Sequence, residues 1–180
     1  MKYNHDPSNL FKSSDAFFSY LENRPNVITF SNISDFSNPS NSLSSDKIYI
    51  IESGGEWSSD INFPASGNLT VVVKGDLLIS RSVADDKFIT FISSGKISFA
   101  SDLKSARGIF IAKQISFSDG VSSQAENHLE IYGNVYSFDK ADGYANRNSS
   151  LPTPPVKIEY DINQVMKFIN VLSIKKTTKQ

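Results

Sequence analysis

Three observations predict a mainly β chain folded as a short right-handed parallel β-solenoid, with rungs of about 20 residues. Sliding the sequence by twenty residues superimposes four apolar stretches: Leu69, Ile89, Ile109 and Leu129 form one column, and Val71, Phe91, Ile111 and Ile131 a second. A second set of segments nearly keeps this beat, with Leu77 and Ile79 repeating as Ile97 and Phe99, as Ile115 and Phe117 after a two-residue deletion, and as Val135 and Ser137. Composition points the same way. Ser and Asn make up about a quarter of the 180 residues and aromatics 12%, which favours turns and strands over helices.

Between the paired apolar segments lie short breaks at Lys74-Gly75, Ser94-Gly95, Ala112-Lys113 and Gly133-Asn134. In a solenoid each is a corner where the chain passes from one sheet to the next. A meander would place a hairpin there. Ala112-Lys113 offers no residue that takes positive φ cheaply, as the favoured two-residue hairpins require, so corners are predicted. Because neighbouring side chains on a strand point to opposite faces, the eight residues of the two columns are expected to fill the interior. The alternate column, Val72, Ile92, Ala112 and Tyr132, then makes the outer face partly apolar, and a helix is expected to cover it.

Residues 1–180 are read as a single domain. An N-terminal helix is predicted over 8–23, where Leu10, Phe11, Phe17, Phe18 and Leu21 share one stripe, Ser8 or Ser14 serves as N-cap and Arg24-Pro25 ends the element. A short strand at 27–30 follows. Residues 31–46 read as a flexible Ser/Asn loop, whose side chains favour local backbone bonds over ladders. The solenoid is expected over 47–139. After Pro152, Pro154 and Pro155, residues 156–172 are predicted to form a strand and a C-terminal helix. Asp161 and Gln164 make a capping box there, and Ile162, Val165, Met166, Ile169 and Leu172 an apolar stripe that packs on the solenoid.

Charge and composition exclude several roles. A net charge of −1 gives no basic field for nucleic acid. The absence of cysteine removes disulfides, thiolate metal sites and cysteine nucleophiles. No apolar run is long enough to insert into a membrane, and the first ten residues lack the pattern of a secretory signal. No Gly-rich phosphate loop or nucleophile elbow occurs, and His5 and His128 are not ordered around a serine, so no catalytic residue and no cofactor is predicted.

Asp85, Asp86, Asp102, Asp119, Glu126, Asp139 and Asp142 are expected in loops, where Asp is good turn chemistry; stacked together with Arg81, Arg107 and Arg147 they would make a metal-dependent lyase site. Turn chemistry is the preferred reading, with no metal. Trp57, Tyr132, Tyr136 and Tyr144 are the candidate ligand-binding residues, since an aromatic face suits the apolar face of a sugar ring.

The ordered phrases LTVVVKGDLLIS, RGIFIAKQISFSDG, HLEIYGNVYSF, a later Arg147 and KIEYDINQVMKFI resemble a group of poorly characterised repetitive β-solenoid domains. These occur in exported proteins of small-genome, uncultured bacteria, and some resemble accessory pilus-assembly proteins. The resemblance spans Lys47 to about Ile169. It implies an extracellular or cell-surface location and a structural or adhesive role, with other surface or pilus proteins or surface glycans as partners. A polysaccharide-binding or polysaccharide-degrading β-helix protein and a self-polymerising scaffold are the alternative functions.

Overall fold

The computed structural model describes residues 13–65, 67–120, 127–143, 147, 154–163, 165, 166 and 168. Its element order is α1 (Ser14–Glu22), β1 (Val27–Phe30), α2 (Ile33–Phe36), β2 (Ile48–Ile51), β3 (Gly55–Trp57), β4 (Asn68–Val73), β5 (Leu77–Ile79), β6 (Phe88–Phe99), β7 (Ser105–Ser116), β8 (Leu129–Asp142) and β9 (Val156–Glu159). All strand pairings among the described residues are parallel, in the order β1-β2-β4-β6-β7-β8-β9, with a second path from β3 through β5 to β6. The chain is a β-solenoid of about five turns.

Corners stand where three of the four breaks predict them. Lys74-Gly75 separates β4 from β5, and the long strands β6 and β7 shift register between Ser93 and Lys96 and between Ala112 and Gln114. The stacked corners leave no room for side chains. A Cβ on Gly54 would meet the Asp76 carbonyl oxygen at 2.5 Å, and one on Gly95 the Asp76 carboxylate at 2.3 Å. Asp76 instead accepts the Lys96 N–H at 2.8 Å, and Ser93 Oγ donates to the Gly75 carbonyl at 2.6 Å. Gly133-Asn134 is no corner. Gly133 lies in line with Gly108 inside the ladder, and β8 bends later, between Ser137 and Lys140.

The twenty-residue slide holds only for part of the ladder. Partners are 20 residues apart between β4 and β6 (Leu69 and Ile89) and 19 apart between β6 and β7 (Thr90 and Ile109). They are 25 apart between β7 and β8 (Ser105 and Glu130) and 27 apart between β8 and β9 (Leu129 and Val156). A slip of one residue moves every side chain to the other face. All eight column residues are buried, but Ile109 and Ile111 belong to the outer cluster, whereas Phe110 and Ala112 point inward. Val135, read as second-arm, pairs with Phe110 in the first arm, and Ile115 pairs with Ala141.

The interior is spanned by aromatic contacts. Phe30, Phe36, Trp57, Phe91, Phe110, Phe99 and Phe117 follow one another with centroid separations from 4.8 to 6.2 Å. Residues 31–46, expected as a flexible Ser/Asn loop, contribute to this core. Asn32 caps α2 by accepting the Asp35 N–H at 2.8 Å, and Ile33, Phe36 and Leu43 are buried. The Ser/Asn composition hid three apolar anchors.

Helix α1 covers the outer face as predicted, with Ser13 rather than Ser8 or Ser14 as N-cap; its Oγ accepts the Ala16 N–H at 3.2 Å. Leu10 and Phe11 lie outside the described residues. Phe17, Phe18 and Leu21 pack with Ile48, Ile50, Val72, Ile92, Ile109 and Ile111. Each such burial contributes roughly 1.5–3 kcal/mol, which a helix too short to persist alone requires. Near the C-terminus Asp161 accepts the Asn163 N–H at 2.9 Å and caps a helical turn. Val165 and Phe168 pack on the same outer cluster, whereas Ile162 and Met166 of the expected stripe are exposed; Gln164, Ile169 and Leu172 lie outside the described residues.

Phe110→Ala and Ile111→Ala are both expected to destabilise the fold by about 2–5 kcal/mol. Only Ile111→Ala should couple to Phe17→Ala, by more than about 0.5 kcal/mol in a denaturant double-mutant cycle, because those two share the outer cluster. Coupling of Phe110→Ala to Phe17→Ala without coupling of Ile111→Ala would place Ile111 in the interior.

A polar shelf across three rungs

Outward-facing positions of β7, β8 and β9 change character along the strands. Ile109 and Ile111 lie under the helices, but nearer the strand starts the register sets Arg107, Tyr132 and Glu159 in one row and Ser105, Glu130 and Lys157 in the next. Asp85, Lys104, Asn127 and His128 come from the connections before the strands and complete the rim. Together with Ser105, Arg107, Glu130 and Tyr132 they line an open cleft of about 710 Å³.

These groups hold one another. The Arg107 guanidinium carbon lies 5.2 Å from the Tyr132 ring centroid, and Arg107 Nη2 lies 3.3 Å from Asp85 Oδ1. The Tyr132 hydroxyl donates to Glu130 Oε2, His128 Nε2 lies 3.4 Å from Glu130 Oε1, and Lys157 pairs with Glu159. The Tyr132 hydrogen bond, followed by His128, holds the Glu130 carboxyl below the usual carboxylate range. The same bond raises the Tyr132 phenol, since ionising it would face a carboxylate. The lining carries two cationic residues, Lys104 and Arg107, against two carboxylates, Asp85 and Glu130.

Of the four predicted ligand-binding aromatics, Tyr132 stands on the shelf. Tyr136 lies further along β8, 44% exposed and edge-on to Phe138 at 5.0 Å. Trp57 does not offer a platform: it borders a second cavity of about 340 Å³ but is only 2% exposed, packed edge-on against Phe91 at 4.8 Å. Tyr144 lies outside the described residues. Glu130, Ser105, Lys104 and Asn127 were missed because the twenty-residue slide misaligns β7 with β8. The alternation within HLEIY and VKIEY carried the signal, since it assigns Glu130, Tyr132, Lys157 and Glu159 to one outer face.

The carboxylates do not converge. Asp86 pairs with Lys87 at 2.7 Å, Asp119 accepts the Ser101 N–H at 2.9 Å, and Asp139 and Asp142 lie in β8 rather than in loops. Among the described residues no three His, Asp or Glu side chains are grouped to hold a metal ion, and Glu126 lies outside them. Arg81 pairs with Asp60 at 2.6 Å, far along the chain from Arg107.

Arg147 has a structural task. It is 3% exposed, and its guanidinium donates to the carbonyls of Phe99, Ala100, Ser101, Leu103, Phe117 and Asn127. These acceptors lie where β6 and β7 end and where the chain approaches β8, so one planar fork satisfies backbone left over by successive turns.

No helix among the described residues is long and apolar enough to cross a membrane. Comparison of the chain with protein families, with curated protein sequences and with solved structures finds no match.

Arg147→Lys is expected to lower stability by at least about 2 kcal/mol in urea melts, because an ammonium cannot reach carbonyls spread around a guanidinium plane. A loss smaller than about 0.5 kcal/mol would show that the fork is dispensable.

For Glu130 the folded-state pKa is depressed, so its stabilising contribution is present above the unfolded pKa and is lost as pH falls through the folded value. Tyr132→Phe should move the Glu130 titration up towards the usual carboxylate range, read by carboxyl NMR. An unmoved titration would assign the shift to another neighbour.

Proposed function

We propose that this chain is a non-catalytic adhesive module of a bacterial cell-surface or exported protein, and that its shelf binds a surface glycan. The observation that carries this reading is the in-register placement of Arg107, Tyr132 and Glu159 beside Ser105, Glu130 and Lys157 on three adjacent rungs. Strands hold side chains more tightly than loops do, so a hydroxyl-rich ligand meets donors and acceptors already oriented. Balanced charge around the cleft suits a neutral sugar chain better than a polyanion. The resemblance to repetitive domains of exported proteins supports the location, and the use of Arg147 to brace turns supports a load-resisting role.

The test is a glycan array followed by calorimetry on the best-bound glycan. Wild type should bind, and Arg107→Ala and Glu130→Gln should each weaken binding at least about tenfold, or 1.4 kcal/mol, with little change in melting temperature. Breakdown of the bound glycan by wild type but not by Glu130→Gln would favour the polysaccharide-degrading alternative. Glycan binding that ignores both substitutions would remove the shelf from the function.

A further inference from the structure

The two ends of the solenoid carry a second inference, independent of the shelf. Among the described residues β1 pairs only with β2 and β9 only with β8. Ile28 stands in register with the buried Tyr49, and Ile158 with the buried Ile131, so each ends an inward-facing column. Yet they are 40% and 43% exposed, and Tyr160 just past β9 is 68% exposed. The interior column therefore terminates in apolar surface at both ends.

We propose that a second copy of this chain covers these ends, with β9 of one molecule docking in parallel on β1 of the next. Direction favours it. Since all pairings among the described residues are parallel, the outer edges of β9 and β1 run the same way, and translation along the solenoid continues the ladder without reversal. Alternation favours it too. Aligning 156–160 (VKIEY) with 26–30 (NVITF) sets Ile158 against Ile28 and Tyr160 against Phe30, keeping inward-facing positions in phase.

Outward, Lys157 meets Val27 and Glu159 meets Thr29, so no like charges oppose each other across the junction. Lys157 would ordinarily guard an exposed edge, but Glu159 already pairs with it. The contact is heterologous: each molecule uses two different surfaces, and the product is an open chain rather than a closed dimer.

Sedimentation velocity on the full chain tests this. The weight-average mass of wild type should rise with concentration to at least about twice that of the monomer. Ile28→Lys and Ile158→Lys should each stay monomeric. Mixed together they should plateau at about two chains, because the intact β9 end of Ile28→Lys docks on the intact β1 end of Ile158→Lys and both outer ends are blocked.

Ile28→Thr and Ile158→Thr, checked by circular dichroism, serve as milder versions should a lysine disturb folding. Arg107→Ala should assemble like wild type, which separates this result from the fate of the shelf. A wild type that stays monomeric up to its solubility limit would overturn the proposal, as would association blocked by only one of the two end substitutions.

Discussion

Every rung of this solenoid depends on one constraint, the parity of inward and outward side chains between neighbouring strands. A parallel strand satisfies its backbone only against the next strand, and its side chains alternate strictly, so the length of each connection decides which face a residue meets. The step of 20 residues from β4 to β6 keeps Leu69 and Ile89 inside, whereas the step of 19 to β7 turns Ile109 outward and brings Phe110 inside. Both outcomes are tolerated because both faces are apolar there. Phe110 joins the aromatic run between Phe91 and Phe99, while Ile109 and Ile111 meet the cluster anchored by Phe17 and Leu21. The outer helix is thus what permits rungs of unequal length.

Unequal rungs create a second problem, the backbone left over at each turn. Short corners solve it locally, through Asp76 with the Lys96 N–H and Ser93 with the Gly75 carbonyl. Longer connections need a partner from elsewhere. Arg147, from the excursion that follows β8, reaches back to carbonyls that follow β6 and β7. A guanidinium is suited to this because its five donors lie in one plane and it stays charged across the biological pH range. A buried cation surrounded by aligned carbonyls needs no enzymatic explanation.

The sequence made the architecture legible through period and alternation, and it placed three corners and β1 correctly, and α1 with its start too early. It failed where the period changed. The two-residue deletion was visible between Ile97 and Ile115, but the six-residue lengthening before β8 was not, because HLEIYG resembles a first arm that starts on the old beat. Composition misled in residues 31–46, where polar residues outnumber Ile33, Phe36 and Leu43 although burial of those three decides the conformation. The shelf was half legible. Tyr132 was singled out as aromatic, but its partner Glu130 becomes visible only once Arg107 and Tyr132 are known to be cross-strand neighbours. Trp57 shows the reverse case: chosen because an aromatic face suits a sugar ring, it serves the core.

The rim residues of the shelf share an origin that bears on how such a fold acquires function. Asp85, Lys104, Asn127 and His128 all lie in connections that lead into the first arm of a rung, where lengthening costs little closure entropy and leaves the ladder intact. The strands beside them supply Arg107, Glu130 and Tyr132, whose positions the ladder fixes. Adjustable connections and fixed strand positions therefore meet on one stretch of surface, while the helices cover the stretch of that sheet around Val72, Ile92, Ile109 and Ile111. A site assembled this way can change its specificity through the connections without disturbing the parity on which the core depends.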